Sequence, residues 1–127
     1  MDQQTTKGGV FSFTHPSGTT CVILTDNLRF DPGDLVSTCE ADCTVDFADA
    51  CLAVARHLAG DWGRASPRQW QKNERALTES DLLVSTHRDR RGNDFAILTL
   101  PDRSQTWVVL VEECKRLHEI RQRTEVN

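Results

Sequence analysis

No apolar run in the 127 residues approaches the roughly 20 that a membrane-spanning helix needs. The start, MDQQTTKGGV, has neither a cationic opening nor a long apolar stretch, so no secretory signal is expected there. An even set of cysteines is also missing. The five present, Cys21, Cys39, Cys43, Cys51 and Cys114, do not make the paired framework of a small secreted scaffold. Reduced thiols in a cytoplasmic protein are the expectation. The chain has no glycine-rich cofactor loop, no Gly-x-Ser-x-Gly elbow and no two-histidine helix motif with its glutamate, so no cofactor is implied. It has no internal repeat and no low-complexity linker.

What is there suits one globular domain. The composition is 38% hydrophobic and 27% charged, and a chain of this length supports one core. The formal net charge is −4, unevenly spread. Residues 1–60 hold eight acidic and three basic side chains, and residues 61–127 hold eleven and twelve. Asp26, Asp31, Asp34, Glu40, Asp42, Asp46 and Asp49 face only Arg29 over residues 26–49. If these carboxylates share a face, it repels nucleic acid and attracts a basic protein surface. That makes them the candidate partner-binding set; a merely solvated acidic rim is the alternative.

VFSFTHPSGTTCVILT (10–25) reads as a hairpin with Pro16-Ser17-Gly18 as its turn. Asp31-Pro32-Gly33 breaks the chain before a short strand at Leu35–Thr38. Asp46 caps a helix from Phe47 to about Ala59. Phe47, Cys51, Val54 and Leu58 form its apolar stripe, and Gly60 stops it. Ser66-Pro67 with Gln69 is a capped restart, predicting a second helix to about Leu77 with Trp70, Asn73 and Leu77 inward. LLVSTHR (82–88), DFAILTL (94–100) and QTWVVLV (105–111) predict a three-strand meander. Glu112 and Glu113 open a terminal helix through Cys114, Leu117 and Ile120. The expected architecture is α+β: an antiparallel sheet made of this meander, extended by the N-terminal hairpin and packed against two helices. Residues 1–9 are expected as a disordered tail, 10–120 as one domain and 121–127 as a frayed end.

HLAGDWGRASPRQWQKN (57–73) raises the functional question. His57 and Asp61 are four apart, a spacing that lets a carboxylate orient a general base. Gly60 lies between them, so Asp61 falls in a turn and a structural corner is the competing reading. No nucleophile accompanies the pair, because Cys51 faces the core by its periodicity. His57 falls at the edge of the apolar stripe and is expected half-buried. His57, Gly60, Asp61, Trp62, Gly63, Trp70 and Asn73 make a structural motif in which Trp62 belongs to the core. A metal site would draw on His57, Asp61 and His87 or Cys43, but no spacing demands one; Cys39, Cys43 and Cys51 lack the second ligand pair of a zinc site. Any helper for His57 is first sought at His87. Arg88, Arg90 and Arg91 at a hairpin tip, with Arg64, Arg68, Lys72 and Arg75 on the second helix, form the basic features. No aromatics interleave with them, so a nucleic-acid surface is not favoured.

From Phe30 to Glu113 the chain resembles a family of small proteins carried by bacterial plasmids, integrative elements and phages. The resemblance rests on Phe30…Gly33…Val36-Ser37-Thr38, RHLAGDWG (56–63), Asn73-Glu74-Arg75-Ala76-Leu77, LLVSTHR (82–88) and FAILTLPDRSQTWVVLVEE (95–113). The Arg-His-x-x-Gly-Asp-Trp-Gly block is its specific part. The chain departs from the pattern in its hairpin at 10–25, in Thr38-Cys39 and in Thr86-His87. The resemblance implies a mobile-element setting and an α+β fold, and no reaction. The function expected is a non-enzymatic protein docking on a host protein, such as a restriction or other defence component, as a counter-defence inhibitor (anti-restriction or anti-CRISPR) or accessory. A small hydrolase or nuclease using His57 and Asp61, with or without a metal, and a nucleic-acid-binding regulator are the alternatives.

Overall fold

The structure, a computed structural model, describes residues 7–116. The chain folds as β1 (Lys7–Thr14), β2 (Thr20–Leu28), β3 (Asp34–Ser37), α1 (Cys39–Thr44), α2 (Phe47–Leu58), α3 (Pro67–Glu79), β4 (Leu83–Arg88), β5 (Asp94–Thr99) and β6 (Gln105–Leu110). Residues 111–116 are helical as well, where the two glutamates predicted a helix start. Glu113 accepts the Leu110 N–H at 2.8 Å and the Thr38 hydroxyl at 2.7 Å. Leu117, Ile120 and the tails 1–6 and 121–127 lie outside the described residues. Residues 7–9, expected in the tail, open β1 instead.

The fold is α+β. β4, β5 and β6 form the antiparallel meander, and β3 joins its far edge in the order β3-β6-β5-β4. β3 pairs parallel with β6, Leu35 beside Thr106. A parallel partner needs a long crossover; α1, α2, α3 and two meander strands supply it. The N-terminal hairpin makes a two-stranded sheet of its own and shares no ladder with the four-stranded one. It packs on α2: Phe13 and Ile23 join Ala50, Cys51 and Val54 in one core with Phe95, Ile97 and Val108 of the sheet. α2 therefore lies between two β layers. Its buried face is wide (Ala50, Cys51, Ala53, Val54, His57 and Leu58) because two β layers, not one, need covering.

The caps are those the sequence signals. Asp46 accepts the Asp49 N–H at 3.1 Å, and Ser66 accepts the Gln69 N–H at 3.1 Å with Pro67 opening the helix. α3 runs two residues past the expected Leu77 and stops at Ser80, whose φ of 53° is left-handed. α1 was not expected. Its one buried residue is Ala41, so it carries no apolar stripe to read; Thr38 starts it by accepting the Ala41 N–H.

The 57–73 block covers the free edge of β4. An uncovered edge strand leaves backbone groups unpaired and invites foreign strands. Asn73 meets Val84 as a strand would: its amide donates to the Val84 carbonyl at 2.7 Å and accepts the Val84 N–H at 3.1 Å. Two residues on, the Arg64 N–H donates to the Thr86 carbonyl at 2.7 Å, and Gly63 forms a parallel bridge with Thr86. Gly63 is needed there, with φ of 64° and space so tight that an added Cβ would stand 2.3 Å from the Thr86 carbonyl oxygen. α3 thus packs along a sheet edge and not across a sheet face. Only Asn73 and Ala76 are buried on it, and Trp70, expected inward, is 36% exposed.

Candidate functional site

Trp62 is fully buried. Its indole N–H donates to Glu74 at 3.0 Å, and Glu74 also takes both guanidinium nitrogens of Arg29 at 3.2 Å. The Trp62 hydrogen bond, followed by Arg29, holds the Glu74 carboxyl below its usual range. The Trp62 ring stacks on Phe30, and His57 meets both edge-on at 5.2 and 5.4 Å between centroids. This is the core role expected of Trp62.

His57 is not half-buried but fully enclosed, since Phe30 and Trp62 close on its ring edges and Ser85 and Thr99 of the four-stranded sheet meet its two nitrogens. His57 and Asp61 are not brought together. Asp61 is half-exposed, 3.5 Å from Arg56, and accepts the Gly63 N–H at 3.0 Å. His57 instead bonds to Ser85 Oγ through Nδ1 at 2.7 Å and to Thr99 Oγ1 through Nε2 at 2.9 Å. Ser85 also bonds to His87 Nε2 at 2.8 Å. Thr99 bonds to Thr106 at 2.8 Å, and Thr106 donates to the Pro32 carbonyl at 2.8 Å.

One carbonyl sets the proton order in this chain. Pro32 O only accepts, so the single Thr106 proton is used there. Thr106 must then accept from Thr99, and Thr99 from His57 Nε2–H. Neutral His57 has a bare Nδ1, which takes the Ser85 proton. Ser85 in turn accepts from His87 Nε2–H. Both imidazoles are neutral Nε2–H tautomers, and all the donors point the same way, from His87 to Pro32. Ser85 is buried and its proton is committed, so it is not an open nucleophile. The relay joins β4, α2, β5, β6 and the loop before β3. Of its members, the sequence pointed only to the two histidines; Ser85, Thr99 and Thr106 lie 28, 42 and 49 positions from His57.

Burial, with the charges of His87 and Arg103 adding to it, pushes His57 down to about 3. Burial and the Arg56 guanidinium push His87 down to about 4 against the pull of Asp61. An unfolded histidine takes its proton near 6.5. Between that pH and about 4 the unfolded chain therefore binds more protons than the folded one, and stability falls as pH falls. At pH 4.5 His57 alone is expected to cost about 2–3 kcal/mol relative to pH 7.5. Urea unfolding at the two pH values measures this; an unchanged midpoint would refute a neutral buried His57.

The acidic set is divided. Asp49 binds Arg90 through both oxygens at 3.0 Å, Asp46 lies 3.7 Å from both Arg90 and Arg91, and Glu40 pairs with Arg116 at 3.0 Å. Asp42 accepts from the Ser37 hydroxyl. The expected single acidic face and the expected basic tip thus largely neutralise each other, because the β4–β5 turn folds back onto the start of α2. Asp89 ties that turn down. Burial works against its charge, but the Asp46, Asn93 and Arg91 N–H groups and the Asn93 amide bring it to about 2. Asp26, in β2, remains exposed and without an ion pair among the described residues, as do Asp31 and Asp34. The fold sets the β5–β6 turn beside the latter two: the Asp34 N–H donates to the Ser104 carbonyl at 3.0 Å, next to exposed Asp102. In the same turn Arg103 donates to the carbonyls of Asp81, Ala76 and Leu100 and lies over the Phe30 ring, which is an inward, structural use of its charge.

A cleft of about 340 Å³ opens over the outer end of the relay, lined by Arg56, Asp61, Gly63, Arg64, His87 and Arg88. Cys39 and Cys43 are exposed on α1 while Cys51 is buried in α2, so the three thiols do not converge. No helix among the described residues is long and apolar enough to cross a membrane. The chain matches no protein-family model, no curated protein and no solved structure.

Proposed function

We propose that the protein is a non-enzymatic binding protein of a mobile genetic element, and that it docks on a basic surface of a host protein such as a restriction or other defence component. The mobile-element setting rests on the Arg-His-x-x-Gly-Asp-Trp-Gly resemblance. The docking reading rests on one observation: exposed Asp31 and Asp102, on adjoining loops, and exposed Asp34, the first residue of β3, sit together at one end of the sheet. Their like charge is left unneutralised while Asp46, Asp49 and Glu40 are paired within the fold. The sealed relay supports the non-enzymatic part, since His57 and Ser85 have no access to a substrate. Basic partners meeting such a surface associate quickly and lose affinity as salt rises.

The test is capture of a partner from host lysate by the wild-type chain and by an Asp31→Lys/Asp34→Lys double variant. The wild type is expected to hold a partner whose affinity drops steeply with salt, and the double variant to lose it. A partner retained equally by both, or held with an affinity indifferent to salt, contradicts the proposal.

A further inference from the structure

One nitrogen of the relay has no protein partner among the described residues. His87 is only 4% exposed, its Nε2–H is committed to Ser85, and its Nδ1 carries a lone pair that accepts from nothing among the described residues. A buried acceptor without a donor is costly and calls for an explanation. The ring lines the cleft floored between α2, the 61–64 turn and the end of β4. Gly63 keeps space beside it: a Cβ at that position would lie 2.7 Å from Nδ1.

The walls of the cleft are cationic. Arg56, Arg64 and Arg88 stand against Asp61. Arg88 is held by Asp94 at 2.8 Å, and Arg56 makes one long contact with Asp61 at 3.5 Å. Arg64 has no carboxylate partner among the described residues. Guanidinium groups are the side chains best suited to a planar hold on an oxyanion.

We propose that this cleft binds a phosphate group that keeps a proton, with Arg64 and Arg56 on its oxygens and its P–OH donating to His87 Nδ1. The acceptor makes the site selective. At neutral pH phosphate retains at least one proton and sulfate none, although the two have the same tetrahedral shape. Sulfate would face the His87 lone pair with its own lone pairs, so the relay that fixes the tautomer also fixes the ligand class. Free phosphate and a phosphate monoester share this chemistry up to the group's last proton. A monoester carries it only as the monoanion and weakens as pH rises through its second ionisation, near 6; free phosphate binds on to higher pH.

Isothermal titration of the full chain with inorganic phosphate, sulfate and a simple alkyl phosphate tests this at pH 7 and at pH 5.8. Phosphate is expected to bind at least about tenfold tighter than sulfate at pH 7, as expected when a site's hydrogen-bonding group is left unpaired by an analogue. At pH 5.8 the alkyl phosphate, now largely the monoanion, is expected to bind about as tightly as free phosphate if the cleft takes a monoester, and to bind poorly at both pH values if the cleft admits only the free ion. Arg64→Gln, an exposed change that spares the relay, is expected to weaken phosphate about tenfold with little change in melting temperature. Phosphate is also expected to move the ¹⁵N resonance of His87 Nδ1 while sulfate leaves it in place. Equal affinity for phosphate and sulfate, no binding of phosphate, or an Arg64→Gln variant that binds as the wild type does would each overturn the proposal. Since this cleft and the Asp31–Asp34 loop are separate surfaces, failure of one test leaves the other standing.

Discussion

His57→Ala is expected to lower the unfolding free energy by about 4 kcal/mol. Two effects add. Truncation leaves a cavity between α2 and the sheet, where neighbours relax only partly, and such cavities cost about 2–5 kcal/mol. It also strands the Ser85 proton and the Thr99 lone pair in a dry core, at about 1–3 kcal/mol for an orphaned group. His57→Leu refills most of the volume and isolates the second effect, with an expected loss of about 2 kcal/mol. Denaturant unfolding of the three proteins measures both. A catalytic histidine in an open pocket would give the reverse pattern, with stability unchanged or raised on replacement.

Gly63→Ala is expected to cost about 3 kcal/mol or more through a clash and a backbone preference acting together. Its φ of 64° disfavours a side chain by about 1 kcal/mol. The new Cβ would stand 2.3 Å from the Thr86 carbonyl oxygen and 2.7 Å from the His87 ring, so the corner must leave the edge of β4 or push the strand. Gly18→Ala is the control. Its φ is 99° but nothing lies within 4 Å of the added carbon, so only the backbone preference of about 1 kcal/mol remains. Thermal unfolding of both variants separates the terms. Equal losses would mean that the close approach of Gly63 to β4 contributes nothing.

Local signals carried far in this chain. Asp46 and Gly60 bound α2, Ser66-Pro67 opens α3, and three alternating runs give the meander, because each is decided by residues a few positions apart. What local signals did not reveal depends on distant partners. The parallel pairing of β3 with β6 is decided some 70 residues away. Trp70 was expected inward on helical spacing, yet α3 lies on a sheet edge, where a narrow buried stripe suffices. His57 falls at the margin of the apolar stripe and is enclosed because Phe30, Trp62, Ser85 and Thr99, from four other parts of the fold, close around its ring. The acidic run is continuous in sequence, and only the fold shows that Arg90 and Arg91 return to Asp46 and Asp49. Asn73 was legible as a buried amide in need of partners; that it would pair with the backbone of an edge strand was not.

The histidine of the Arg-His-x-x-Gly-Asp-Trp-Gly block is a sealed structural link in a one-way hydrogen-bond chain, and not a base paired with Asp61. Long-range ¹H–¹⁵N correlation of the imidazoles at pH 7 tests it most directly. Both His57 and His87 are predicted neutral with the proton on Nε2, and the His57 pattern is predicted to persist to pH 5. A His57 that carries its proton on Nδ1, or that titrates near 6.5 as a solvated imidazole does, would contradict the account.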